Sequence, residues 1–319
     1  MTYLTVLLVN IISLALYYSI AIKYNIIDQP NERSSHDYIT VRGAGVIFLI
    51  TGLFWALLSI GQHLYIFIGL TGIGLVSLLD DIFTLPNKLR FIVHVLAVLF
   101  VFLDIGLFSS NIIIILSVLI LYLGWINAFN FMDGINGITS FYALSILLPL
   151  YIVFRDFSFT HSSLIVFLGI SVVVFMFLNV RSRAVAFCGD VGAIVLAYLI
   201  GYLAITLIIS TGKIEYILFG CVYGIDAIFT IMRRMLKGEN IFQAHRSHLY
   251  QLLSNELNWH YLTVSLVYSL LQLIISMTLI LALQSVPHYS TFIAVAILIS
   301  VVTLYLVSVK LVSTRLKKV

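Results

Sequence analysis

Leu64-Tyr65-Ile66-Phe67-Ile68-Gly69-Leu70-Thr71-Gly72-Ile73-Gly74-Leu75-Val76-Ser77-Leu78-Leu79-Asp80-Asp81 is the stretch on which the fold of this chain turns. An uncharged run close to the roughly 17–25 residues of a spanning helix ends abruptly in two adjacent carboxylates. The pattern recurs: in a sequence that is 62% apolar and 9% charged, Asp133 and Asp190 also sit in short polar motifs at the edge of long apolar runs. Ionised carboxylates in such places are costly unless paired, hydrated or bound to a cation, so they read as one shared polar site at a membrane face. That composition points to a membrane enzyme that handles phosphates with a divalent metal.

Working outward, a mean hydropathy of +1.14 over 319 residues excludes both a soluble protein and a single anchor. Backbone groups must be satisfied within hydrocarbon, so the apolar runs read as α-helices, and the alternation of a β-barrel is absent. Spans are expected near 3–22, 43–61, 64–79, 91–108, 111–127, 138–154, 162–179, 191–209, 214–232, 261–283 and 290–309. The fold class is therefore an all-α polytopic bundle of about eleven helices, a single membrane domain over 1–319 without internal repeat or linker. The first span lacks a basic leader and is followed by Lys23, which reads as an uncleaved helix with its N-terminus outside. Threaded so, all basic residues except Arg155 and Lys213 fall on one side together with the C-terminus. The positive-inside rule makes that side cytoplasmic, and the net charge of +4 a topology signal rather than a sign of nucleic acid. Cys188 and Cys221 have no pairing or zinc-ligand pattern and read as packing residues.

Four motifs carry chemistry. Asp80-Asp81 repel each other, so either one carboxyl is protonated more readily or a cation sits between them; Lys88 and Arg90 follow within reach of a phosphate, or merely anchor the next helix. In Asn127-Ala128-Phe129-Asn130-Phe131-Met132-Asp133-Gly134-Ile135-Asn136-Gly137, a continued helix would bring Asn127, Asn130 and Asp133 near one face, with glycines allowing close approach. Phe187-Cys188-Gly189-Asp190-Val191-Gly192 opens a helix, where Asp190 is a cap or a metal ligand and Phe187 a flat face for a base. His245-Arg246-Ser247-His248 offers diphosphate partners, whereas zinc would want more ligands at defined spacing. Asp226, within the preceding helix, reads equally well as structural or catalytic. His94 and His161 are assigned to structure or surface.

In this order, and joined by Pro30-Asn31-Glu32-Arg33-Ser34-Ser35-His36 and Arg42-Gly43-Ala44-Gly45, the motifs resemble the polyprenyl-phosphate N-acetylhexosamine-1-phosphate transferases over roughly the first four fifths of the chain. The resemblance implies transfer of an N-acetylhexosamine-1-phosphate from a UDP-sugar to undecaprenyl phosphate with release of UMP, on the cytoplasmic face of a bacterial inner membrane. It implies Mg²⁺, with Mn²⁺ as a substitute, held by Asp190 and Asp81. Asp80, Asp81 and Asp133 would be catalytic, with Asp80 a base, a positioning group or a metal ligand. Asn127, Asn130, Lys88 and Arg42 would contact substrate, Ile135 and Phe187 would flank the uracil, and His245, Arg246 and His248 would hold diphosphate or sugar. Two departures stand out: Asn136 replaces an aspartate of many members, leaving a hydrogen-bonding group without charge, and Ile39-Thr40-Val41-Arg42 replaces a Pro-Thr-Pro-Arg run. The short histidine motif resembles the branch that initiates O-antigen or capsule repeats. The lipid bilayer is the expected partner, a homodimer is left open, and the rival readings are a transporter or lipid flippase and a structural partner of a glycan-assembly complex.

Overall fold

A computed structural model describes residues 2–30, 38–156, 158–240, 243 and 245–316. Most of the Pro30–His36 motif therefore lies outside the described residues. Every expected span has a helical counterpart: α1 (Thr2–Lys23), α2 (Val46–Leu58), α3 (Ile60–Phe83), α4 (Asn87–Asp104), α5 (Ile112–Phe131), α6 (Ile138–Phe154), α7 (Phe159–Asn179), α8 (Gly189–Thr211) and α9 (Cys221–Leu236). A short turn, α10 (Leu249–Gln251), precedes α11 (Tyr261–Ser285) and α12 (Ser290–Leu316). The chain is a polytopic all-α membrane protein. Among the described residues, eight helical segments are long and apolar enough to cross a membrane. The others fall short for visible reasons: α2 and α6 have 13 and 17 residues, and α4 carries Lys88, Arg90 and Asp104.

The boundaries have local causes. The span expected at 43–61 contracts to Val46–Leu58 because Ala44 and Gly45 use their N–H groups elsewhere, donating to the carbonyls of Phe187 (3.0 Å) and Cys188 (3.0 Å). α3 stops after Phe83 because Thr84 takes a left-handed conformation (φ 52°) and Pro86 follows, a pairing that disfavours further helix. The span expected at 214–232 divides into a 3₁₀ stretch, Ile214–Gly220, and α9.

α8 is the central post. Most of its length is buried, and it packs against α2, α3, α5 and α6. Beside its start lies a feature that hydropathy does not reveal: β1 (Ile27–Asp28) pairs antiparallel with β2 (Thr40–Val41), and Val41 makes a parallel bridge to Ala186. This pairing brings the Arg42–Gly45 loop against the Phe187–Gly192 segment. The fit is too tight for side chains: a Cβ on Gly45 would come within 2.3 Å of the Gly192 Cα.

Candidate active site

Asp81 has the most constrained surroundings. From the end of α3 it reaches across to the start of α8, where its two oxygens accept from the backbone N–H groups of Asp190 (2.9 Å) and Val191 (3.0 Å). The same carboxylate accepts from Arg42 Nε at 2.7 Å, and its side chain is 0% exposed. A carboxylate at a helix N-terminus satisfies donors that lack an intrahelical partner and favours the positive end of the helix dipole. The Asp81 oxygens are occupied and closed to solvent, and the residue locks the Asp190 turn in place, so its expected role as a metal ligand would require these contacts to be exchanged. Glycine is required beneath it, since a Cβ on Gly189 (φ 74°) would meet Asp81 Oδ2 at 2.5 Å.

Around this anchor the other charges form one network. Arg42 extends from Asp81 to Asp190 Oδ1 (3.3 Å). Arg90, on the first turn of α4, joins Asp80 Oδ2 and reaches Asp190 Oδ2 at 3.2 Å. The second oxygen of Asp80 accepts from Leu85 N (2.6 Å), fastening the turn between α3 and α4. Three carboxylates thus face two guanidiniums. Arg42 and Arg90 are 32% and 30% exposed at their side chains, and Asp190 17%, so the network is open on one side. Tyr17 supports it from α1, donating to the Arg42 carbonyl at 2.7 Å.

The second motif lies beside this network. α5 ends at Phe131, so the helical face expected to align Asn127, Asn130 and Asp133 is not formed. Asn127 is exposed and its amide donates to its own helix at the Leu123 carbonyl (2.7 Å). Asn130 and Asp133 are half-buried, and Thr139 donates its hydroxyl to Asp133 Oδ1. Burial pushes the Asp133 carboxyl up to about 6; the Thr139 hydrogen bond opposes this, the charge of Asp81 adds to it, and Arg42 opposes it. Ile135 is buried at the turn. Asn136 donates its amide to the Arg181 carbonyl (3.1 Å) and the Tyr38 hydroxyl (3.3 Å), and that hydroxyl also accepts from Ala184 N (2.7 Å). The Tyr38 and Phe187 rings are 6.5 Å apart, with the Arg183 guanidinium 5.8 Å from the Tyr38 ring. An aromatic and amide-lined edge thus adjoins the charged network.

The histidine loop is held by a second buried aspartate. Asp226, on α9, accepts from the N–H groups of Leu249 (3.0 Å) and Tyr250 (3.4 Å) and from the Tyr268 hydroxyl (2.7 Å). It also stands 3.4 Å from His248 Nδ1. Tyr250 then crosses to the second motif, donating to the Phe131 carbonyl at 2.9 Å. Its hydroxyl leaves no room beside Gly134, where a Cβ would come within 2.2 Å of it. His248 lies over Phe131 (6.2 Å) and beside His245 (4.9 Å), and His245 Nδ1 meets Ser247 Oγ at 2.9 Å. Burial holds the His245 imidazole down at about 4, with His248 and Arg234 acting in the same direction, so near neutrality it is uncharged. Arg246 is half-buried. Lys88 is exposed, while Arg90, two residues on, enters the network.

The structure therefore draws Arg42, Asp80, Asp81 and Asp190 into direct contact and packs the Asp133–Gly137 turn against both Tyr38 and Tyr250. The contributions of Tyr17, Tyr38 and Thr139 carry no motif signal, whereas Tyr250 follows the histidine motif.

Residues 63–208, which include Asp80, Asp133 and Asp190, match the family model described as glycosyl transferase family 4. Over that stretch, just under half of the chain, the protein is similar to glycosyl transferase family 4. It is 27% identical over 308 residues to a probable undecaprenyl-phosphate N-acetylglucosaminyl 1-phosphate transferase of Bacillus subtilis, covering 88% of this chain and 84% of that protein. It is 25% identical to an undecaprenyl-phosphate alpha-N-acetylglucosaminyl 1-phosphate transferase of Thermotoga maritima, over 78% of this chain and 80% of the relative. A phospho-N-acetylmuramoyl-pentapeptide-transferase of Lactococcus lactis is 30% identical across 49% of this chain and 46% of its own. The family match begins at α3 and ends within α8, so it spans both helices joined by Asp81.

Proposed function

We propose that this chain is a family 4 transferase that moves an N-acetylhexosamine-1-phosphate from a UDP-sugar to undecaprenyl phosphate, releasing UMP, at the cytoplasmic face of a bacterial inner membrane. The names of the full-length relatives support the lipid acceptor and the N-acetylated sugar. The observation that carries the reading is the half-open network of Asp80, Asp81, Asp190, Arg42 and Arg90 at the ends of apolar helices. An acceptor phosphate on a lipid can reach it from the bilayer and a sugar nucleotide from water.

The residues fit Mg²⁺. Three carboxylates against two guanidiniums leave one negative charge in excess, and the partly exposed Asp190 supplies hard oxygen donors. Among the described residues no three His, Cys, Asp or Glu side chains gather into a cage. That suits an ion that takes one or two carboxylates and completes its shell with phosphate and water. Asp190 would hold it, and when bound it supplies positive charge against the diphosphate.

The remaining work falls to the chain. Arg42 and Arg90 present their spare N–H donors to phosphate oxygens, the positioning and charge stabilisation on which phosphoryl transfer depends. A phosphate monoester has its second pKa near 6, so the acceptor arrives mostly as a dianion and needs little base catalysis. Asp80, with one oxygen on Arg90 and the other on Leu85 N, is accordingly a positioning group. Asp81 fixes Arg42 and the Asp190 turn. Phe187, with Tyr38 behind it, flanks the base; Ile135 and Asn136 border that edge. Neutral His245 and the Arg246 guanidinium face diphosphate or sugar.

Purified protein supplied with undecaprenyl phosphate, Mg²⁺ and a panel of UDP-N-acetylhexosamines should release UMP with one or two donors, and Asp190→Ala should not. Absence of release with every donor, from protein shown to be folded, overturns the reading. Asp80→Asn separates its roles: a loss independent of pH agrees with positioning, whereas recovery at high pH would make Asp80 a base.

A further inference from the structure

The helices that meet at the site also meet at their other ends. α3 carries Asp80 and Asp81 at its end and His63 at its start; α4 carries Arg90 first and Asp104 last; α8 carries Asp190 first and Tyr202 farther along. At the face opposite the site these three residues join His161 of α7. His63 stands where α3 departs from helical dihedrals (φ −127°, ψ 39°) and stacks on Trp55 with centroids 5.0 Å apart. Its Nδ1 is 2.9 Å from Asp104 Oδ2 and 3.3 Å from the Tyr202 hydroxyl. That hydroxyl is 3.0 Å from His161 Nε2, and Ser158 engages the other ring nitrogen of His161. Nothing in the transferase reading uses this cluster.

It borders a cavity of about 240 Å³ lined by His63, Asp104, His161, Tyr202, Thr206 and Ser210, among others. The Asp104 side chain is 2% exposed, and its ion partner among the described residues is a histidine. Its Oδ1 and the Thr206 hydroxyl are both buried without a hydrogen-bond partner among the described residues. A buried carboxylate oxygen left in that state calls for a donor, and for one bearing positive charge. The aromatic ring of Tyr202 in the lining favours an organic cation. A transition metal fits poorly, because both ring nitrogens of His161 are already engaged.

Position narrows the choice. Asp104 ends α4, His63 lies in the first turn of α3, and Ser210 is the penultimate residue of α8, so the pocket opens where the helices end and lipid headgroups begin. Lys213, three residues beyond Ser210, is half-buried at the same end of α8 and is suited to an attached phosphate. We propose that this pocket binds the primary ammonium group of a zwitterionic phospholipid, with Asp104, Thr206 and Ser210 accepting its three N–H bonds. A quaternary ammonium has no such donors, and an anionic headgroup would oppose Asp104.

The full chain in detergent, titrated with short-chain phosphatidylethanolamine, phosphatidylcholine, phosphatidylglycerol or ethanolamine, tests this by native mass spectrometry and thermal unfolding. One phosphatidylethanolamine should bind saturably per chain, at least tenfold more tightly than the other two lipids. Asp104→Asn should abolish that preference and Thr206→Val should weaken it several-fold; should the first variant not fold, the second still reads the site. Equal binding of the three lipids, or variants that keep the wild-type preference, overturns the proposal. If ethanolamine alone reproduces the full effect, the site belongs to a free amine and the lipid assignment falls.

Discussion

Asp81 and Asp226 perform the same operation in two regions with different results. Each is a buried aspartate on one helix whose oxygens take two N–H groups at the start of another, α8 in the first case and α10 in the second. The shells differ. Asp81 shares its charge with Arg42, which reaches onward to Asp190 and so into an open network of ions. Asp226 is closed in by Thr230, Tyr268 and His248, with no arginine or lysine in contact among the described residues. Such a cap adjoins an open ion network where its counter-ion has a second carboxylate to serve. Elsewhere it holds a loop.

The largest expected effect separates charge used for chemistry from charge used for anchoring. Asp190→Ala should lower turnover by roughly 10²–10³-fold or more, as loss of a transition-state charge partner does, with little change in thermal unfolding. A variant that unfolds instead would make Asp190 an anchor like its neighbour. Asp81→Ala should show the reverse emphasis, losing about 3–5 kcal/mol of stability because Arg42 and two N–H groups lose their partner. Asp226→Ala should cost a similar amount while raising KM for the sugar nucleotide more than it lowers kcat; an equal fall in kcat would put the histidine loop in the chemistry.

The link between the two regions is the next target. Gly134→Ala should disturb both corners, since its Cβ would strike the Tyr250 hydroxyl, at an overpacking cost of about 1–3 kcal/mol. Tyr250→Phe in the same chain should restore activity in part; if it does not, the clash is not the cause. A smaller effect concerns pH. The folded Asp133 carboxyl titrates near 6, above its value in the unfolded chain, so protonation favours the fold and stability contributed by this group is lost as pH rises through about 6. If the ionised form serves the substrate, turnover should rise over that interval, and Asp133→Asn should remove the step. Smallest of all, Asn127→Ala should leave stability within about 0.5 kcal/mol and turnover unchanged, because its amide serves only its own helix.

These contrasts mark what a linear reading reaches. The apolar runs were legible because backbone in hydrocarbon has few choices, and each expected span has a helix. The contraction of the second span was not, because it depends on Ala44 and Gly45 bonding to a segment about 140 residues away. The aspartates were legible because charge is rare in such a chain. Their division of labour was not: Asp80, Asp81 and Asp190 look alike until Asp81 is seen to turn toward α8. Tyr38 was invisible for the opposite reason, since one tyrosine among 18 carries no signal without a partner.

The cap from Asp81 to Asp190 also has a history in time. The two residues are separated by 109 positions, whereas Asp81 and Arg42 lie on neighbouring early segments. At synthesis rates of about 5–20 residues per second, Asp190 follows Asp81 out of the ribosome after roughly 5–20 s. During that interval the nascent chain carries Arg42, Asp80 and Asp81 with no α8 start to receive them. The first half of the protein is thus an unfinished socket, and a chain halted before Gly189 would present that socket to quality control rather than to substrate.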